Sequence, residues 1–292
     1  MIDESVHCFG PGEILTGIYT APRNDGPPNE TCVVVLNSGL LHRVGPYRMF
    51  VDFAREIARS GFPVLRFDLS GLGESLVRPE SSPERVRVVA DIGEALNFLQ
   101  AQFGHRRFVL VGLCSGADNA HWAALEDSRI VGALMMDGPG YVDLRYHIAH
   151  YLPRLFSLRR WRVVLSKFLH KAAPDSTKSV AQRQEIFLRP FPPREQMERE
   201  IRQLAERGVN LLYLYTGGVE YYYNRESQFR QNFPSLRINQ PGSTIEYEYH
   251  REFEHTYPDL RHRRYLFARV LDWLSSRFSE AGSVSAPAGL MS

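Results

Sequence analysis

One short run, Gly112-Leu113-Cys114-Ser115-Gly116, sets two nucleophilic side chains between two glycines. An apolar strand-like segment, Phe108-Val109-Leu110-Val111, precedes it, and a helical pattern from Gly116 to Leu125 follows. A strand passing directly into a helix through Gly-x-nucleophile-x-Gly is a nucleophile elbow, whose central residue sits on a strained turn and projects into the site. Counting from Cys114 places Gly112 two before and Gly116 two after. Counting from Ser115 places Leu113 and Ala117 there, and the leucine side chain would crowd the turn. The spacing therefore favours Cys114 over Ser115, the alternative nucleophile, and over a glycine-requiring turn with no chemistry. Cys32, inside a valine run, and Cys8 read as small apolar packing residues. A thiol at its ordinary pKa is mostly protonated at neutral pH, so catalysis requires an adjacent histidine that is itself oriented by a carboxylate.

The elements that must position these groups follow from periodicity and punctuation. Extended runs at Val6–Phe9 and Ile14–Ala21, joined by Gly10-Pro11-Gly12, predict a β-hairpin. The pattern then alternates: strand Cys32–Leu36, helix Arg48–Arg59 ended by Gly61, strand Pro63–Phe67, helix Pro83–Phe103, the elbow strand and its helix, and strand Ile130–Met136. Between Gly140 and Arg207 the alternation gives way to a helical, aromatic, arginine-rich segment with several prolines. Strand Val209–Tyr215, a last strand at Thr244–Tyr249 and a helix Leu260–Phe278 complete the chain. Apolar strands separated by helices form a mostly parallel sheet covered on both faces, with ligands bound beyond the carboxyl ends of the strands. The expected organisation is a core of residues 1–140 and 206–280, an inserted helical cap at 141–205, and a disordered tail at 281–292.

Composition narrows the function classes. The 35 Lys and Arg against 33 Asp and Glu give a net charge of +2, too near neutrality for nucleic acid to be the expected partner. Three widely separated cysteines make neither a disulfide framework nor a metal cluster, and no cofactor is expected. With no signal-like start and no long apolar run, a soluble cytoplasmic protein is expected, without a membrane partner.

Around the elbow the chain resembles the α/β-hydrolase family over almost its whole length. Asn37-Ser38-Gly39-Leu40-Leu41-His42-Arg43 is similar to the family's His-Gly loop, with Asn37-Ser38 where a histidine more often precedes the glycine. Asp68-Leu69-Ser70-Gly71-Leu72-Gly73-Glu74-Ser75 resembles the family's Asp-x-x-Gly-x-Gly-x-Ser turn, which shapes the pocket wall. The run from Leu36 to Ser75 looks closest to the serine-aminopeptidase-like and exosortase-associated subgroups. The resemblance implies an eight-stranded, mostly parallel sheet with helices on both faces and an inserted cap. It implies backbone N–H donors from Leu40 and Ser115 to an oxyanion. It also implies the chain order nucleophile, acid, histidine. His255, between the last strand and the closing helix, holds the histidine position, with His250 and His262 as neighbours. Thr216-Gly217-Gly218-Val219-Glu220 resembles the family's Gly-x-x-Asp and places Glu220 as the acid. Asp137, at the end of the sixth strand, is the alternative that some branches use, and Glu254 a more remote one.

The substrate is the least defined element. A Cys-His-Glu triad favours activated esters, lactones or thioesters, and its thioester intermediate allows hydrolysis or transfer. From Leu144 to Pro174, Arg145, Arg154, Arg159, Arg160, Arg162, Lys167 and Lys171 occur with no Asp or Glu among them. They read either as the solvated face of cap helices or as a basic patch for an anionic partner such as an acyl carrier protein. Arg43, Tyr221 and Tyr222 are candidates for substrate contact. Two other functions fit the same residues: elimination or isomerisation with His255 as general base, and ligand binding without chemistry.

Overall fold

The computed structural model describes residues 2–22, 29–143, 146 and 191–279. Most of the segment expected as a cap, including its basic residues, and the tail at 281–292 lie outside the described residues.

Eight strands form one sheet: β1 (Ile2–Phe9), β2 (Leu15–Pro22), β3 (Thr31–Val35), β4 (Val64–Phe67), β5 (Arg107–Leu113), β6 (Ile130–Met136), β7 (Asn210–Thr216) and β8 (Ile245–His250). Their spatial order is β1-β2-β4-β3-β5-β6-β7-β8. The hairpin β1–β2 and the β2–β4 pair are antiparallel, and every later pair is parallel. The mostly parallel eight-stranded sheet expected from the alternation is thus present. Because strand side chains alternate between faces, each central strand feeds two cores. Cys32 and Val34 of β3 enter one core with Ile92 and Leu96 of α2 (Glu84–Phe103) and Ala120 of α3 (Ser115–Glu126). Val33 and Val35 enter the other with Phe50, Phe53 and Ile57 of α1 (Met49–Arg59).

Helix boundaries follow local chemistry. α1 begins one residue later than the periodicity predicts, because Tyr47 and Arg48 both have positive φ, 47° and 65°. α2 is preceded by Pro83 and stopped by Gly104 at φ 77°, a left-handed C-cap that glycine adopts without penalty. β5 runs two residues further than predicted, to Leu113, so that strand and helix are separated by Cys114 alone.

The last part of the segment expected as a cap, from residue 191 on, is described. α4 (Arg194–Glu206) buries Met197, Ile201 and Leu204 in the same core as α3, so its apolar stripe belongs to the sheet's covering layer. A short helix, α5 (Gln228–Asn232), fills the β7–β8 connection, where no element was expected. The closing helix α6 (Leu260–Phe278) has its expected bounds, and its N-terminus is capped by the Asp259 side chain accepting from the N–H of Arg261 at 2.8 Å. Among the described residues no helix is long and apolar enough to cross a membrane.

Candidate active site

β5 delivers Cys114 to the carboxyl end of the sheet with φ 60° and ψ −122°. A non-glycine residue in this region costs on the order of 1–3 kcal/mol and persists only where its surroundings enforce it. Here the N–H of Cys114 donates to Met136 O at 2.9 Å, and Cys114 O accepts from the N–H of Ala117 at 2.9 Å. Both flanking glycines are required sterically. A Cβ on Gly112 would overlap the backbone of Gly116, and one on Gly116 would lie 2.6 Å from Asn37 O. Cys114 is half-buried at the base of α3. The orphan N–H groups and dipole of a helix N-terminus favour negative charge at that place.

Ser115 is the first residue of α3 and takes the other side of the turn. Its Oγ accepts from the N–H of Gly39 at 2.8 Å and so ties the β3–α1 loop to the elbow. The two expected oxyanion donors, the N–H groups of Leu40 and Ser115, belong to these two tied segments. The loop is fixed from behind by Asn37, whose Nδ2 donates to Leu41 O at 2.9 Å and to Asp68 Oδ1 at 3.0 Å. Asp68 also accepts from the N–H of Arg43 at 2.6 Å. The Arg43 guanidinium lies in ion pairs with both Asp68 and Glu74. Two carboxylates thus occupy the charged end of Arg43, expected as a substrate contact, and the residue is buried. These bonds pin the loop.

His255 sits between β8 and α6, half-buried, with Nδ1 2.7 Å from Oδ2 of Asp137. Asp137 is fully buried at the end of β6, with φ 49°. Its carboxylate also accepts from the N–H of Thr216, at 2.7 Å to Oδ1, and from Thr216 Oγ1, at 2.8 Å to Oδ2. The Tyr222 hydroxyl donates to the backbone oxygens of Asp137 at 3.0 Å and Gly138 at 3.2 Å. Burial alone would push the His255 imidazole pKa down. Hydrogen bonds with Asp137 and with the Cys114 side chain, and the charges of both, outweigh it and raise the pKa to about 10. With Nδ1 on Asp137, Nε2 is the nitrogen left for the thiol.

The structure therefore brings Cys114, His255 and Asp137 together. Glu220, expected as the acid, ends a short 3-10 turn with its side chain exposed, and its backbone oxygen accepts from the Tyr146 hydroxyl at 3.0 Å. The glycines before it serve a different purpose. A Cβ on Gly218 would strike the backbone N of His255, and one on Gly217 would strike Arg251 O, so this turn admits the histidine loop instead of presenting a carboxylate. Tyr222 is correspondingly buried against Asp137, and Tyr221 is half-exposed with its ring 4.8 Å from that of Tyr222. Neither lies among the described residues of the cleft beside the elbow. Sequence reasoning missed Thr216 as a partner of Asp137. Its position, last in the strand next to β6, is the only signal that marks it.

A cleft of about 510 Å³ opens beside the elbow, bordered by Gly39, Leu40 and Ser115 on one side and by Arg78, Glu84 and Arg87 on the other. Among the described residues no group of three His, Cys, Asp or Glu side chains is placed to hold a metal ion.

A family model described as alpha/beta hydrolase fold matches residues 33–179, half of the chain. Similar solved structures include an esterase from Pyrococcus furiosus, at 12% identity and a TM-score of 0.59 over 96% of this chain and 93% of that one. The esterase domain of a Rhodothermus marinus protein has 16% identity and a TM-score of 0.54, over 96% and 100% of the two chains. A Xanthomonas campestris protein described as a serine hydrolase without a lid has 14% identity and a TM-score of 0.53, over 97% of each chain. At such identities the likeness is one of fold. No curated protein matches the sequence.

Proposed function

We propose, from the premise that this chain belongs to the alpha/beta hydrolase fold family, that it is an acyl hydrolase whose nucleophile is the Cys114 thiolate, with His255 as acid and base and Asp137 as the orienting carboxylate. The observation that carries this reading is the bonded imidazole: Nδ1 on the buried Asp137 at 2.7 Å, and the Cys114 side chain as its other partner. A histidine whose pKa is raised to about 10 beside a thiol at a helix N-terminus supports a thiolate–imidazolium pair at neutral pH.

In the first half-reaction the thiolate adds to the substrate carbonyl, and the negative charge moves to the carbonyl oxygen. The N–H groups of Leu40 and Ser115 are the donors for that oxyanion, by position in the tied loops. Collapse of the tetrahedral intermediate breaks the bond to the leaving group, which takes its proton from His255 and departs as an alcohol or thiol. The Cys114 thioester remains. His255, now neutral, takes a proton from water as the water adds to the thioester. Collapse releases the carboxylic acid and restores the thiolate–imidazolium pair. An alcohol or amine in place of that water gives transfer instead of hydrolysis.

Activated esters, lactones and thioesters suit this chemistry, because the leaving group must compete with a thiolate for expulsion. Elimination or isomerisation is less well supported: the imidazole is already engaged by the thiol, which an α-proton abstraction would leave without a purpose. The esterase descriptions of the similar structures agree with the hydrolytic reading.

Substitution separates the two adjacent nucleophiles. We expect Cys114→Ala to abolish cleavage of p-nitrophenyl esters, and Ser115→Ala to retain at least about a tenth of the rate, having lost one loop tether but no bond-forming atom. The opposite pattern would overturn the assignment.

A further inference from the structure

The cleft beside the elbow contains a polar side chain that folding leaves unused. Asn119 lies one helical turn beyond Ser115, on the same face of α3, and borders the cleft. It is 6% exposed, yet makes no hydrogen bond to any described residue. Other buried amides nearby are tied into the fold. Asn37 makes three hydrogen bonds, while Gln228 bonds to the backbone oxygens of Tyr141 and Tyr222, and Asn232 to that of Tyr141. The Asn119 amide is thus open to the cleft instead of being tied into the fold, and a polar group so placed is available to a ligand.

Arg78 lies across the same cleft. Its Nε donates to the fully buried Asp91 at 2.6 Å, and its Nη2 is buried with no partner. Asp91 is itself held, accepting from the N–H and hydroxyl of Ser70 at 2.8 and 2.7 Å. The guanidinium is thereby fixed in place with its charge offset. The charged residues bordering the cleft are Arg78 and Arg87 against Glu80 and Glu84, a balanced set that gives no net attraction for an ion.

We propose that this cleft is the acyl-group subsite and that it selects acyl chains carrying an uncharged amide, paired with the Asn119 side chain. The inference rests on the reading of Cys114 as the acylated residue. An amide offers a carbonyl acceptor and an N–H donor, the complement of the asparagine's own amide. Cys114 and Asn119 are separated by five residues of helix, about 7.5 Å of axial rise, which places the amide several bonds from the reacting carbonyl. A hydrocarbon chain in the same cleft would leave Asn119 unpaired, and sites built to hydrogen-bond a substrate reject analogues that lack the group.

The test compares three p-nitrophenyl esters of matched chain length: acetamidopentanoate, octanoate and the monoester of octanedioic acid. The expected result is a second-order rate of nitrophenolate release at least about tenfold higher for the acetamido ester than for either other ester. That preference should vanish in Asn119→Leu and in the milder Asn119→Ser, both checked for an unchanged melting profile. Equal rates for all three esters, or a preference for the octanoate or the anion, would overturn the proposal. Binding of ethyl acetamidopentanoate and ethyl octanoate to Cys114→Ala, measured by calorimetry, separates the two readings. Preference for the amide ester there, without ester cleavage by the unaltered protein, supports the subsite and refutes the nucleophile. Cleavage without preference does the reverse.

Discussion

Oδ2 of Asp137 lies 2.7 Å from Nδ1 of His255, although 118 residues separate the two in sequence. The contact exists because β6 and β7 are parallel neighbours, so that Asp137 and Thr216 leave the sheet side by side, and because the β8–α6 loop folds back over that edge. One carboxylate thus receives the Thr216 backbone, the Thr216 hydroxyl and the imidazole.

Asp137→Asn keeps the shape of the site but replaces an anion facing His255 with a neutral amide. We expect kcat to fall by about 10²- to 10⁴-fold, the range assigned to oriented acid–base groups, with KM for a p-nitrophenyl ester little altered. Glu220→Gln should stay within about twofold, since its side chain is exposed. Steady-state kinetics on the two variants decides between them, and the reverse order of effects would return the acid to Glu220.

Thr216→Val deletes the 2.8 Å hydroxyl bond to Asp137 while nearly conserving volume. The backbone N–H bond remains, so the carboxylate is loosened but not lost. We expect a destabilisation of about 1–2 kcal/mol, because a charged acceptor loses one buried donor, together with a roughly tenfold fall in kcat. Thr216→Ser should restore both. A purely structural role would lower the melting temperature without moving kcat.

The pH dependence follows from His255. Its pKa is raised from 6.5 to about 10 in the folded protein, so folding favours the protonated ring. That contribution is fully present below pH 6.5 and disappears as the pH climbs through about 10. Stability attributable to this residue should therefore decline across pH 7 to 10. The decline should flatten in Asp137→Asn, which removes the larger of the hydrogen-bonded partners. Chemical denaturation of both proteins at successive pH values measures the difference, and parallel profiles would contradict the pairing.

How much of this was legible in the sequence depended on range. The elbow could be read because its constraint is local: Gly112 and Gly116 are required by overlap within five residues and with the neighbouring β3 turn. The closing helix could be read for the same reason, its bounds set by Asp259 and by an apolar stripe. Asp137 was legible as the alternative acid, but the choice between it and Glu220 was not. Gly217-Gly218 looks like the start of an acid-bearing turn, but those glycines make room for His255 and Arg251. Asp137 has a positive φ, and the hydrogen bonds that hold it there come from Tyr222 and from Leu214 of β7, far along the chain. The ion pairs of Arg43 were not legible for a related reason, since its two carboxylate partners lie 25 and 31 residues away. Asn119 drew no notice because a lone asparagine in a helix resembles any surface residue until the fold buries it.

The identity of the nucleophile is tested most directly by trapping the acyl-enzyme. The protein is mixed with a p-nitrophenyl ester, quenched in acid within the first turnover, digested and sequenced by mass spectrometry. We expect a burst of one nitrophenolate per chain and the acyl group on Cys114, within the peptide that spans the elbow. An acyl group on Ser115 instead, or ester cleavage with no covalent adduct at all, would contradict the thiolate mechanism.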